Sequence, residues 1–169
     1  MRHKRTQKIV YLSLLAALAI VLHMVESSIP LPLPLGVKLG FANIISLVVI
    51  QLYGTKEMFI VNFFRVMISG LLTGTLMSHP FFISCGGVLL SSLILALLKR
   101  YTSLPIVSLS IFAAIGHNIG QIAVVSFFLT SIAMVPYLFI LFASSIPTGI
   151  FTGMVSIEIT KRLDKRKFQ

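Results

Sequence analysis

Six apolar stretches, parted by short polar or basic junctions, occupy most of the chain: 9–25, 39–53, 58–77, 81–98, 106–129 and 134–159. A helix needs about 20 apolar residues, with a range of roughly 17 to 25, to cross the hydrocarbon core of a bilayer. The pattern therefore predicts an all-α integral membrane protein, a bundle of six transmembrane helices forming one domain over residues 1–169. The second stretch is short, and Lys38 snorkelling outward would complete its length. The fifth and sixth form one long apolar region interrupted only at Thr130-Ser131 and Pro136, so hydropathy alone divides it more than one way.

Charge decides the division. Lys and Arg number 14 against 4 acids, and the basic residues gather at alternate junctions. Arg2, Lys4, Arg5 and Lys8 precede the first stretch. Lys56 follows the second, Lys99 and Arg100 follow the fourth, and Lys161, Arg162, Lys165, Arg166 and Lys167 close the chain. Basic residues flanking a span resist translocation, so they mark cytoplasmic loops. Two basic termini demand an even number of crossings, and six leaves Lys38 as the one basic loop residue outside. The expected location is the cell membrane, multi-pass, with both termini cytoplasmic. A net charge of +10 invites a nucleic-acid reading. No basic stripe interleaved with aromatics on a polar face supports it, whereas anionic lipid headgroups account for charge beside spans.

The basic start followed by an apolar run resembles a secretory signal, but Glu26-Ser27-Ser28-Ile29-Pro30 is a poor cleavage site, and the first stretch reads as a retained span. The lone Cys85 excludes an internal disulfide and a cysteine metal cage. In the first outer loop, Pro30, Pro32 and Pro34 alternate with Leu31, Leu33 and Leu35, which fixes an extended apolar backbone. Such a segment is expected against the helix ends as a lid or re-entrant piece. Gly70/Gly74, Gly116/Gly120 and Gly149/Gly153 have the spacing that lets helices approach closely in lipid.

Polar groups inside the membrane are costly, so the few present are candidates for function. Arg65 lies within the third span with Asn62 three residues earlier on the same face. Arg65 reads either as an anchor for an anionic or hydrogen-bonding ligand, or as a structural arginine held by carbonyls or by a carboxylate such as Glu26. His117, Asn118 and Gln121 line one wall of the fifth span, with Gly116 and Gly120 expected to leave space beside it. Glu26, Lys38, Asn43 and His79 fall at the outer ends of the first three spans. Lys38 and His79 have interfacial anchoring as their default role, and His23 is placed to pair with Glu26. Together these residues outline a polar, substrate-binding pocket in the outer half, with Phe81, Phe82 and the Pro-Leu loop available to cover an apolar part.

Several chemistries lack their residues. The chain has no G-x-x-x-x-G-K-[ST] loop, so it cannot drive ATP-powered transport alone, and no H-E-x-x-H, G-x-S-x-G or C-x-x-C. Asp164 is the sole aspartate, so no acidic motif offers to bind Mg²⁺ and a diphosphate. Neither catalysis by this chain alone nor a metal or other cofactor is expected.

Leu12-Ser13-Leu14-Leu15-Ala16-Ala17-Leu18-Ala19, Glu26-Ser27, the Pro-rich loop and Val37-Lys38-Leu39-Gly40-Phe41-Ala42-Asn43-Ile44 together resemble the substrate-binding S components of energy-coupling factor (ECF) transporters. The likeness is to the subgroup labelled Gx transporter or "heptaprenyl diphosphate synthase component I". It covers essentially the whole chain in length and span layout, and its most specific piece is Lys-Leu-Gly-x-Ala-Asn. The resemblance implies a six-helix protein that captures a small molecule outside and docks on an ECF coupling transmembrane subunit driven by two cytoplasmic ATPases, which alone would use ATP. In that family small residues on the first helix touch the coupling subunit. Here Ser13/Ala17, with Ala16 and Ala19 beside them, are the nearest match. The synthase label finds no carboxylate cluster to support it.

The leading expectation is thus the membrane-embedded substrate-binding subunit of an ECF importer. Two alternatives stand beside it: an accessory membrane subunit linked to heptaprenyl diphosphate or quinone biosynthesis, and a stand-alone secondary carrier using His117 or Glu26 as a proton site.

Overall fold

The computed structural model describes residues 2–28, 40–129 and 136–167, and among them every regular element is helical. The elements are α1 (Arg2–Ser28), α2 (Phe41–Leu52), α3 (Thr55–Leu72), α4 (His79–Tyr101), α5 (Ile106–Leu129) and α6 (Tyr137–Lys167). The Pro-Leu loop, Lys38 and the Thr130-Ser131 break lie outside the described residues. Six helices occur in the expected order, and four are long and apolar enough to cross a membrane: α1, α4, α5 and α6. Large apolar side chains such as Leu14, Leu71, Phe127 and Phe139 cover the outside, as they should where lipid rather than water is the solvent.

The second expected span differs. At 12 residues, α2 rises only about 18 Å, well short of a hydrocarbon core of about 30 Å. It has no need to match the bilayer, because Ala42 and the whole run Ile44 to Ile50 are buried. Its neighbours are α1, α3 and α6, and the remaining contacts run α1–α3, α3–α4, α4–α5 and α5–α6. The bundle is a ring with the short helix let into it. Helix α3 has 18 residues and stops before the expected end at residue 77. Gly74 is left-handed at φ 66°, Thr75 N–H donates to Gly70 O, and Gly74 N–H donates to Leu71 O. That pair of bonds is a Schellman cap. Gly74 is therefore a helix stop rather than half of a packing pair, which corrects that part of the glycine expectation.

The other glycines do mediate close approach. A Cβ on Gly120 would stand 2.3 Å from the Gly86 carbonyl oxygen of α4, and one on Gly116 would strike Ile94. Gly149 and Gly153 of α6 lie against the backbone of Ile111 and Val107 in α5. No space is left beside Gly116 and Gly120; α4 fills it.

One end of the bundle holds the main core. Leu15, Ala19, Ile50, Met58, Val61, Leu95 and Leu109 are buried there, with Leu12, Tyr53, Phe59, Leu98 and Leu163 packed against them. These residues come from the middle of α1, the two sides of the α2–α3 turn, the end of α4, the start of α5 and the end of α6. Both chain ends thus meet at the end that carries Lys8, Lys56, Lys99, Arg100, Lys161 and Arg162. Lys8 of α1 forms an ion pair with Glu57 of α3 there.

Candidate functional site

The opposite half encloses a polar chamber of about 40 Å³, to which all six helices contribute. That is room for a few water molecules. His23 and Glu26 come from α1, Asn43 from α2, Arg65 from α3, Ser84 from α4, His117 and Asn118 from α5, and Thr148 and Thr152 from α6.

Local structure explains each placement. At the α1–α2 junction the Gly40 N–H donates to a Glu26 carboxylate oxygen, tying the last turn of α1 to the first of α2. Gly40 is left-handed at φ 79°, and among the described residues no side chain caps the helix; Gly40, Ala42 and Asn43 line the chamber, so the positive dipole end of α2 lies there beside the Glu26 carboxylate. Arg65 is 2% exposed. One of its terminal nitrogens donates to Asn43 Oδ1 at 3.4 Å, while its Nε has no hydrogen-bond partner among the described residues. Glu26, which also lines the chamber, is a nearby opposite charge. An arginine this deeply buried, lining a polar chamber with a donor to spare, is equipped to receive an acceptor.

The far wall belongs to α5 and α6. Asn118 Nδ2 donates to Leu141 O at 3.0 Å and to Ser145 Oγ at 2.8 Å, and the Ser110 and Thr152 hydroxyls bond across the helices at 2.7 Å. Pro147 removes an α6 backbone donor. Around it Thr148 Oγ1 donates to Ser144 O and Thr152 Oγ1 to Thr148 O, the back-bonding by which Ser and Thr are accommodated inside helices.

The structure brings together Glu26, Asn43, Arg65, His117 and Asn118 of the expected site and separates the others. Asn62 is a buried bridge between three helices: Ser46 Oγ of α2 donates to its Oδ1 at 2.6 Å, and its Nδ2 donates to Ser92 Oγ of α4 at 2.8 Å. Gln121 packs beside His117 over Gly87 without lining the chamber. His79 is exposed, edge-on to Phe128 at 4.7 Å. Lys38 falls outside the described residues. Ser84, Ser110, Thr148 and Thr152 are chamber residues that sequence reasoning missed; small hydroxyls within apolar runs carry little signal. Along α1, Ser13 and Ala17 are exposed and Ala16 is half-buried, whereas Ala19, 1% exposed, turns into the core.

A second cavity, of about 580 Å³, is lined by α3, α4 and the end of α5. Phe59, Phe63, Val66, Met67, Phe82, Cys85, Leu89, Phe127 and Phe128 make it almost wholly apolar.

A helical bundle with apolar flanks and an enclosed polar chamber defines a membrane protein with a small internal site. The family model "heptaprenyl diphosphate synthase component I" matches residues 15–159, and the chain belongs to that family. No curated protein and no solved structure matches it.

Proposed function

We propose that the chain is the substrate-capturing subunit of an ATP-driven importer of the ECF type, with both ends in the cytoplasm and the chamber facing outside. The observation that carries this reading is Arg65, buried among polar side chains from all six helices and holding an unused donor at Nε. Neither the Asn43 hydrogen bond through a terminal nitrogen nor the nearby Glu26 charge uses that donor, which leaves it for a ligand acceptor. The orientation follows from the basic end, whose lysines and arginines resist translocation. The coupling subunit would meet the exposed Ser13/Ala17 face of α1, and the two partner ATPases would supply the nucleotide chemistry this chain lacks.

The test is purification from native membranes, with mass spectrometry of the bound small molecule and of copurifying proteins. Wild type should carry a small ligand and bring down a coupling subunit with ATPases. Arg65→Gln should insert normally yet lose the ligand. Retention of the same ligand by Arg65→Gln removes the arginine from the site, and an externally accessible tag on either terminus reverses the orientation.

The family description favours a second reading, in which the chain is a non-catalytic membrane subunit assisting a prenyl diphosphate synthase. The same preparation separates the two, because that reading requires a soluble synthase to copurify in place of the ATPases.

A further inference from the structure

We infer that the chamber recognises an uncharged carbonyl compound bearing N–H or O–H donors, a small amide being the simplest example, and rejects ions of either sign. This deepens the proposed capture role and rests on the chamber being the ligand site. Charge argues first. Arg65 and Glu26 are 2% and 5% exposed, and both line the chamber. Their charges cancel, so with His23 and His117 neutral the chamber carries no net charge. The place an anion would seek, beside the start of α2, already holds the Glu26 carboxylate, which accepts from the Gly40 N–H. A further ion would stay unbalanced in a buried space, which desolvation penalises heavily.

Hydrogen bonding argues second. The α3 wall offers a donor, the buried Arg65 Nε, which has no hydrogen-bond partner among the described residues. The α5 and α6 wall offers acceptors. Thr148 gives its hydroxyl proton to Ser144 O, and Asn118 spends its Nδ2 on Leu141 O and Ser145 Oγ. What these two side chains retain is the lone pairs of Thr148 Oγ1 and Asn118 Oδ1. A carbonyl oxygen answers the arginine, and N–H or O–H groups of the same molecule answer α5 and α6. A carboxylate brings no donor to the second wall, and an amidinium brings no acceptor to the first. Size argues third: about 40 Å³ is space for about three or four water-sized groups, the scale of a small amide.

Acetamide, acetate and acetamidinium share one shape and differ in charge and in their donors and acceptors. Each is offered at matched millimolar concentration to the full chain in phosphatidylcholine nanodiscs, dialysed free of copurifying ligand. The buffer is at about pH 8, above the ordinary histidine range. Saturation-transfer NMR of the methyl signal, less that from empty nanodiscs, reads binding. Wild type should give a saturable acetamide signal severalfold above those of the two ions. Glu26→Gln keeps an acceptor for the Gly40 N–H but leaves Arg65 without its counter-charge, so acetate should overtake acetamide. Thr148→Val removes an acceptor while keeping the side chain's shape, and should weaken acetamide severalfold. Either ion matching acetamide on wild type overturns the inference, yet leaves the chamber standing as the site. A Glu26→Gln protein that melts cooperatively and keeps the wild-type ranking overturns it too, as does undiminished acetamide binding in Thr148→Val. Silence from all three probes on wild type overturns the carbonyl class, and the importer reading then stands or falls separately on copurification of a coupling subunit and ATPases.

Discussion

Asn62 is the residue on which sequence pattern and packing differ most usefully. Spacing pairs it with Arg65 on one face and suggests a ligand contact, whereas its amide is already spent. Ser46 donates to it at 2.6 Å and it donates to Ser92 at 2.8 Å, all three groups being buried. Interhelical hydrogen bonds in membrane bundles average about 0.6 kcal/mol and reach about 1.7. Losing two should cost roughly 1–3 kcal/mol. The serine hydroxyls can turn back to their own helix carbonyls, which places Asn62→Ala in the lower half of that range. At roughly 2–4 °C per kcal/mol for a chain of this size, its melting temperature in detergent should fall by about 2–8 °C. The ligand copurifying with the folded fraction should be undiminished. A double-mutant cycle with Ser92→Ala should return a coupling of about 0.6 kcal/mol. An unshifted melt combined with loss of ligand would refute the reasoning and return Asn62 to the site.

Other outcomes follow from the same geometry. Gly120→Ala drives a methyl to 2.3 Å from the Gly86 carbonyl oxygen and should cost about 1–3 kcal/mol or more by thermal melting. Gly74→Ala meets open space and should cost only about 1 kcal/mol, the strain of a left-handed residue. His79→Ala should leave ligand retention unchanged, since His79 stands outside the chamber against Phe128; mass spectrometry of the purified variant checks this. Glu57 is held below the ordinary carboxylate range, chiefly by the hydrogen bond from Lys8. Its contribution to stability is complete above the ordinary carboxylate pKa and is lost as pH falls through the lowered value. Melting curves of wild type and Lys8→Ala should accordingly converge in acid and separate at neutral pH.

Much of the architecture was legible because it is written in long-range patterns. Apolar runs of membrane length marked α1, α4, α5 and α6, and basic junctions marked the end where both termini meet. The Arg65, Glu26, Asn43, His117 and Asn118 cluster was legible because charged and amide groups are rare in such runs and need a common reason to be there. What escaped was local or three-dimensional. Gly70/Gly74 has the spacing of a packing pair, and only the backbone at Gly74 reveals a cap. Asn62 shares a face with Arg65, but which hydroxyl lies opposite depends on α2 and α4, which the spacing within α3 does not encode. Ala19 sits in a row of small residues, and the rotation of α1 that buries it is set by its neighbours.

The short α2 ties these observations together. Its C-terminal end packs into the core at the basic end of the bundle, as Ile50 and Tyr53 record. Its 12 residues then rise about 18 Å into a layer of about 30 Å. The chamber lies beside its N-terminal half, lined there by Gly40, Ala42, Asn43 and Leu47. The residue that stops α2 at the right depth is Gly40, left-handed and bonded to Glu26. The feature that looked like an undersized span in the hydropathy pattern is therefore the one whose first turns line the polar chamber.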